Sequence, residues 1–263
     1  MMWRRSGCRR VALALALLLG VILLGFAGYV FYRYTGPVPI SQTEPTTDND
    51  ALRQRIFDAK EVMFVGAHPD DIEFYCGGLV HLLRKAGAQV TFVLATRGGK
   101  GRVGGAKKRI EGLRTRHQHD AARILGGVNV IFYDYPDKEL PDYVQPLADD
   151  LRRLIHREKP DIVFSWDPDY IYNPHPDHQA AARAVEMGAA GSTMCFYGTR
   201  EPNLWIGYGE DVFRLKLRSL RAHRTETPWY FWPLARRFLT RKSIGEGAKI
   251  DARYAEVYRF EDW

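Results

Sequence analysis

From about residue 51 the chain alternates between two patterns that no single secondary structure accommodates. Short runs rich in β-branched and aromatic residues lie at 61–67 (EVMFVGA), 89–95 (QVTFVLA), 128–133 (VNVIFY) and 161–166 (DIVFSW). Between them come the longer segments GGLVHLLRKAG, KKRIEGLRTRHQHDAARILGG and VQPLADDLRRLIHREK. In the last of these, Val144, Leu147, Leu151, Leu154 and Ile155 recur at spacings that favour one helical face. Strands separated by helices of ten or more residues imply βαβ units and a mostly parallel sheet. The expected fold is therefore α/β, a Rossmann-like sheet flanked by helices, as one domain over 51–263. In such sheets ligands bind beyond the carboxyl ends of the strands. Those ends are where chemistry should be sought.

The N-terminus reads differently. Val11 to Tyr32 is an uncharged stretch of 22 residues, VALALALLLGVILLGFAGYVFY. At about 1.5 Å per residue it would span about 33 Å, enough for a bilayer's hydrocarbon core. Arg4, Arg5, Arg9 and Arg10 precede it, and after Arg33 no basic residue follows until Arg53. That asymmetry puts the N-terminus in the cytosol and the domain across the membrane. Residues 1–33 are thus expected to form a single-pass transmembrane anchor. Gly25-Phe26-Ala27 also offers a small-x-small cleavage site, which would make the segment a signal peptide and the product secreted. The apolar run continues past that site, which favours the anchor. Residues 34–50, YTGPVPISQTEPTTDND, read as a solvated tether.

Charge narrows the partners. Lys and Arg total 38 against 31 acids, a net +7. Setting aside the five arginines before residue 34 leaves 33 against 31, or +2. A nucleic-acid footprint is not supported. Cys8, Cys76 and Cys195 form no C-x-x-C pair. A Cys76–Cys195 bridge stays open as a possibility.

The first strand runs straight into Ala67-His68-Pro69-Asp70-Asp71-Ile72-Glu73. Clustered carboxylates repel one another unless a cation intervenes. A helix cap explains one acid comfortably, not three with a histidine. The fourth strand leads through Asp167-Pro168-Asp169 to Asn173-Pro174-His175-Pro176-Asp177-His178 and an Ala-rich helix. Either cluster alone is a weak metal signal; the pair, at strand ends expected to be neighbours, is a strong one. Imidazole and carboxylate are standard Zn²⁺ ligands, and two His with one carboxylate suit Fe²⁺ as well.

AHPDD after a hydrophobic strand, with HPDH about a hundred residues later, resembles the PIG-L/LmbE-like zinc-dependent N-deacetylases, which remove acetyl from N-acetylglucosaminyl compounds. The resemblance runs from about residue 60 to 260. Arg114, Ala121 and Leu125-Gly126 fit its next segment, with His117 where the family commonly has Glu. Tyr135-Pro136-Asp137-Lys138-Glu139-Leu140 resembles its substrate loop, with Lys138 in place of Gly. Lys216 through AHRTE resembles a late signature whose final residue is commonly Gln rather than Glu226.

The resemblance implies that His68, Asp71 and His178 are metal ligands, that Asp70 is the general base, and that a protonated His175 is the electrophilic or acid partner. Asp177 would orient a neighbouring imidazole. By the same resemblance Arg114, Asp137 and His223 are candidate substrate contacts. The activity implied is metal-dependent N-deacetylation of an N-acetylglucosaminyl glycoconjugate, with Zn²⁺ or Fe²⁺ as cofactor. The alternatives are another N-acyl amidase acting on a small sugar conjugate or natural product, and a non-catalytic glycan-binding protein. No nucleic-acid partner is expected, and the residues do not speak to oligomeric state.

Two further signals are weighed and set aside. Gly99 to Gly104 matches G-x-G-x-x-G, but it starts several residues past its strand and carries two cations. A dinucleotide fingerprint opens its helix at once. A basic loop at the site's edge is the better reading. No G-x-S-x-G elbow is present, which argues against a serine hydrolase. The aromatic–basic segment 228–239 suits a membrane interface, a glycan platform or a packed C-terminal element.

Overall fold

The computed structural model of the 263-residue chain describes residues 14–28, 38, 40–102 and 104–261. The chain divides into two units, Met1–Pro39 and Ile40–Trp263. Within the first, residues 14–28 are helical and largely exposed. Among the described residues, no helix is long and apolar enough to cross a membrane. This corrects the expectation of a single-pass anchor at 1–33 and, with it, the extracytoplasmic or secreted location. Residues 1–13 and 29–37, the ends of the expected segment, lie outside the described residues.

The second unit is built on one seven-stranded sheet in the order β3-β2-β1-β4-β5-β7-β6. The four strands legible in the sequence are β1 (Glu61–Gly66), β2 (Gln89–Thr96), β3 (Asn129–Tyr135) and β4 (Ile162–Trp166). All run parallel, with Val62 opposite both Val90 and Ile162. β5 (Met194–Tyr197) continues the parallel set. β7 (Tyr254–Glu261) is antiparallel to both β5 and β6 (Leu204–Tyr208). The helices are α1 (Asn49–Asp58), α2 (Asp71–Lys85), α3 (Lys107–Ile124), α4 (Val144–Glu158), α5 (Pro176–Gly188), α6 (Glu210–Ala222) and α7 (Trp232–Ala248). α6 packs against α2 and α3, while α4 packs against α5, so the sheet is sandwiched between separate helix groups. Phe64, Phe92 and Phe164 meet across the central strands, with the Phe64 and Phe164 rings stacked at 4.4 Å. Cys76 and Cys195 are buried free thiols.

β1 has β2 on one side and β4 on the other, so the chain reverses its direction of travel across the sheet at β1/β4. That is the topological switch point, where a crevice opens beyond the strand ends. β1 ends two residues before His68 and β4 ends at Trp166. The two acidic–histidine clusters therefore meet there.

β7 is tied to the end of β4 by Arg259, whose Nε and Nη2 donate to Asp167 at 2.8 and 2.9 Å. Burial alone would raise the Asp167 pKa; the hydrogen bonds from Arg259, Thr199 and two backbone N–H groups hold it below its ordinary 3.8. A carboxylate depressed in the folded state stabilises the fold above its unfolded pKa, and that stability is lost as pH falls through the folded value. Asp167→Asn should therefore lower the urea midpoint at pH 7 and flatten its decline below about pH 4. Parallel acid limbs for the two proteins would contradict this.

Candidate metal centre and its cleft

Asp71, the first residue of α2, turns one carboxylate oxygen back onto its own turn. Its Oδ2 accepts the backbone N–H of Ala67 and of His68, both at 2.9 Å, and the Trp166 indole N–H at 3.1 Å. Oδ1 is left facing His178 Nε2 at 3.4 Å. Burial would raise the Asp71 pKa, but His178 and His68 overcome it and hold the group well below the usual carboxylate range. The His178 ring lies on the Trp166 indole, 3.9 Å between centroids and 12° from parallel. Its Nδ1 is 3.3 Å from the Asn173 carbonyl. That contact keeps a proton on Nδ1, so Nε2 is the nitrogen turned toward Asp71.

His68 is fixed the same way. Its Nε2 lies 3.0 Å from Asp177 Oδ2 and 3.2 Å from Asp137 Oδ1, and its Nδ1 is turned toward Asp71 Oδ2 at 3.9 Å. Both outer carboxylates are in turn held by backbone. Asp177 accepts the N–H of Lys138 (2.7 Å) and of Leu140 (3.2 Å), and Asp137 that of Lys100 (2.6 Å). Burial lowers the His68 pKa, yet Asp137 and Asp177 outweigh it and raise it to about 10. Without a cation beside it, the ring is itself the positive charge among three carboxylates. A metal would take that charge's place and release the proton.

Two sets of potential ligand atoms within 4.8 Å of one another occur among the described residues, His68–His175–His178 and His68–Asp137–Asp177. Asp71 joins neither set. Yet it stands beside both histidines, with Oδ1 3.4 Å from His178 Nε2 and Oδ2 3.9 Å from His68 Nδ1. Asp177 accepts a backbone N–H on each oxygen, whereas Asp71 and Asp137 do so on Oδ2 alone.

Asp70 caps α2 with φ 107°, a left-handed backbone that costs a non-glycine residue energy and persists only when its surroundings enforce it. Arg114 supplies that enforcement. Its Nη2 donates to the Pro69 carbonyl (2.6 Å) and to Asp70 Oδ1 (3.0 Å). Its Nη1 reaches the Gly98 carbonyl (3.3 Å) and Glu226 (3.1 Å). Gly98, itself at φ 64°, is needed here, because a Cβ would sit 2.5 Å from the guanidinium. Burial pushes Asp70 up to about 7 despite Arg114, with Glu226 and Asp71 adding to the rise.

His175 caps α5, and its Nδ1 accepts the Asp177 N–H at 3.2 Å. Burial, then the charges on His68 and His178, lower its pKa. In this arrangement Nδ1 is the acceptor, as it is in a neutral imidazole. The neutral ring has its N–H on Nε2.

These groups line a cleft of about 430 Å³, within the size range of small-ligand sites. Tyr75, Trp166 and Phe231 give it apolar walls; Lys100, Arg102 and Lys138 give it a cationic rim. The basic loop expected at the site's edge supplies Lys100 and Arg102. Arg114 and Asp137 reach the wall, with both Arg114 Nη atoms and both Asp137 oxygens engaged by protein partners. His223 does not line the cleft. It is buried, 3.4 Å from Glu73, whose other oxygen accepts from Gln118. Segment 228–239 contributes to the cleft wall: Phe231 and Ala235 line the cavity, and the Arg102 guanidinium lies 4.3 Å over the Phe231 ring. Sequence reasoning missed Trp166, which buttresses both Asp71 and His178. Its place as the last residue of β4 was the available signal.

Residues 63–188 match the family described as PIG-L: GlcNAc-PI de-N-acetylase. A diacetylchitobiose deacetylase of Thermococcus kodakarensis is 30% identical over 225 residues, covering 77% of this chain and 84% of the relative. A probable N-acetyl-α-D-glucosaminyl L-malate deacetylase 2 of Bacillus cereus is 28% identical over 187 residues, covering 64% and 84%. Among solved structures, the N,N'-diacetylchitobiose deacetylase of Pyrococcus horikoshii, complexed with its inhibitor MPG, superposes with a TM-score of 0.74 at 26% identity. That match covers 90% of this chain and 91% of the other.

Proposed function

The chain belongs to the PIG-L family of deacetylases, and on that premise we propose that it is a metal-dependent N-deacetylase acting on the acetamide of an N-acetylglucosaminyl glycoconjugate. The observation that supports this reading is Asp71 standing between two imidazoles, Oδ1 3.4 Å from His178 Nε2 and Oδ2 3.9 Å from His68 Nδ1, at a cleft that Asp70 also lines. His68, Asp71 and His178 would hold the metal. Two imidazoles and a carboxylate with an open position suit catalytic Zn²⁺, and Fe²⁺ shares the donor set. When bound, the metal would lower the pKa of a water from 15.7 toward about 7 and polarise the amide carbonyl.

The chain's own residues do the rest. Asp70, poised near neutrality, accepts the water's proton and can return it to the departing amine, so that acetate and the free amine are the products. Arg114 is a positioning residue that holds Asp70 in its left-handed turn. His175 presents its Nε2–H to the developing oxyanion, a contribution of about 3–4 kcal/mol for one well-placed donor. Asp177 and Asp137 fix the His68 ring so that Nδ1 faces the metal position.

Acetate release from N,N'-diacetylchitobiose and from N-acetylglucosaminyl malate tests the reading. Activity should vanish after dialysis against a chelator and return on adding Zn²⁺ or Fe²⁺. Turnover indifferent to the chelator, or no acetate from either compound with metal restored, would overturn it.

A further inference from the structure

Behind the wall of the cleft lies a second, strongly cationic groove, and we propose that it binds the acidic part of an anionic glycan. α6 carries Arg214, Arg218 and Arg221 along one side, and Arg123 of α3, Arg224 after α6 and Arg236 of α7 complete the groove. The acid in its lining is Asp120, already paired with Arg123. Arg214 is paired with Glu210 at 2.8 Å, and Arg221 turns to the Thr227 carbonyl. Arg218, Arg224 and Arg236 are exposed and meet no carboxylate among the described residues. Like charges gathered this closely repel unless an anion lies between them. All six are arginine, whose planar fork takes carboxylate or phosphate through two parallel hydrogen bonds.

Three observations favour a glycan as the carrier of those anions. The segment 220–236 has two sides. Leu220, Thr227, Phe231 and Ala235 face the cleft, while their neighbours Arg221, Trp232 and Arg236 face the groove. Within the same segment, Trp229 and Tyr230 form an exposed crest, 79% and 61% exposed. Exposed aromatic faces of this kind suit sugar rings. Finally, the chain beyond residue 33 has a net charge of only +2, so the groove is a local concentration rather than part of a basic surface fit for any polyanion. A chain with an N-acetylated sugar in the cleft could cross this crest and set its acidic groups on the arginines. The inference rests on the proposed use of the cleft.

The test uses the full chain, metal-loaded, with three labelled probes followed by fluorescence polarisation over a salt series. The probes are a hyaluronan oligosaccharide, which alternates N-acetylglucosamine with glucuronate, a neutral chitooligosaccharide, and a single-stranded oligonucleotide of the same charge as the hyaluronan. Wild-type protein should bind hyaluronan more tightly than the neutral chain. The variant Arg218→Ser/Arg224→Ser/Arg236→Ser should lose about tenfold or more of that affinity and show a shallower salt dependence, with deacetylation of the chitooligosaccharide unchanged. Arg218→Glu and Arg236→Glu should each weaken hyaluronan alone, which guards against a fold defect in the triple variant. Equal affinity of wild type and variants for hyaluronan would overturn the proposal, as would tighter binding of the oligonucleotide. Loss of deacetylation in wild-type protein with hyaluronan binding intact would instead strike at the reading of the cleft.

Discussion

An Asp70→Asn protein is expected to release acetate about 10²–10⁴-fold more slowly than wild type, the span associated with one general base. The substitution removes the proton acceptor and little else. Asparagine tolerates left-handed backbone as well as aspartate does, so the φ of 107° at the cap of α2 can persist. The amide oxygen can still accept from Arg114 Nη2, now 3.0 Å from Asp70 Oδ1. His68, Asp71 and His178 are untouched. The loss should accordingly fall on kcat with KM nearly unchanged, the signature of an interaction made only in the transition state. Metal content and thermal midpoint should match wild type. A kcat within a few-fold of wild type would remove Asp70 from its assigned role.

The largest expected effect on stability lies elsewhere, at Glu256 on β7. This buried carboxylate accepts four hydrogen bonds: the N–H groups of Gly78 and Leu79 in the middle of α2 (both 2.8 Å), Lys216 Nζ (2.5 Å) and the Tyr258 hydroxyl (2.8 Å). Lys216 is itself only 2% exposed. The contact is close because residue 78 is glycine; a Cβ there would stand 2.6 Å from the Tyr208 ring. Glu256→Ala leaves a buried ammonium with no counter-charge, which typically costs about 3–5 kcal/mol. Against total stabilities of about 5–15 kcal/mol, that is a large share. The thermal midpoint should fall by roughly 10 °C or more. Glu256→Ala combined with Lys216→Met should recover part of the loss, since the stranded charge is then gone. A single variant within about 1 kcal/mol of wild type would show that water reaches the ammonium.

How far these features were legible in the sequence follows from where each stabilising interaction comes from. β1 to β4 are continuous apolar runs because both faces of a parallel sheet are buried, and they stand out. β7 does not, since Glu256 and Arg259 interrupt its buried positions, and partners distant in sequence, Lys216 and Asp167 among them, make those charges tolerable. The ligand clusters were legible because repelling acids beside histidines have few bland explanations. Which nitrogen of each histidine is free was not, because that depends on Asn173, Asp137 and Asp177 reaching the rings in space. Arg114 was readable as a residue of interest but not as the clamp on Asp70, a role set by the Pro69 carbonyl and Glu226 around it.

The parallel pairing of β1 with β4 also bears on how the chain acquires its site. Asp71 and His178 are separated by more than a hundred residues, and β2, α3, β3 and α4 all intervene before β4 arrives. Closing a loop of that length costs conformational entropy early and returns contacts late, which makes such pairings slow. The two halves of the ligand set are brought together by this same step. A cation bound only by the completed set would add its binding free energy to the one strand pairing that local structure cannot secure. Metal availability would then act on the yield of folded chains as well as on turnover.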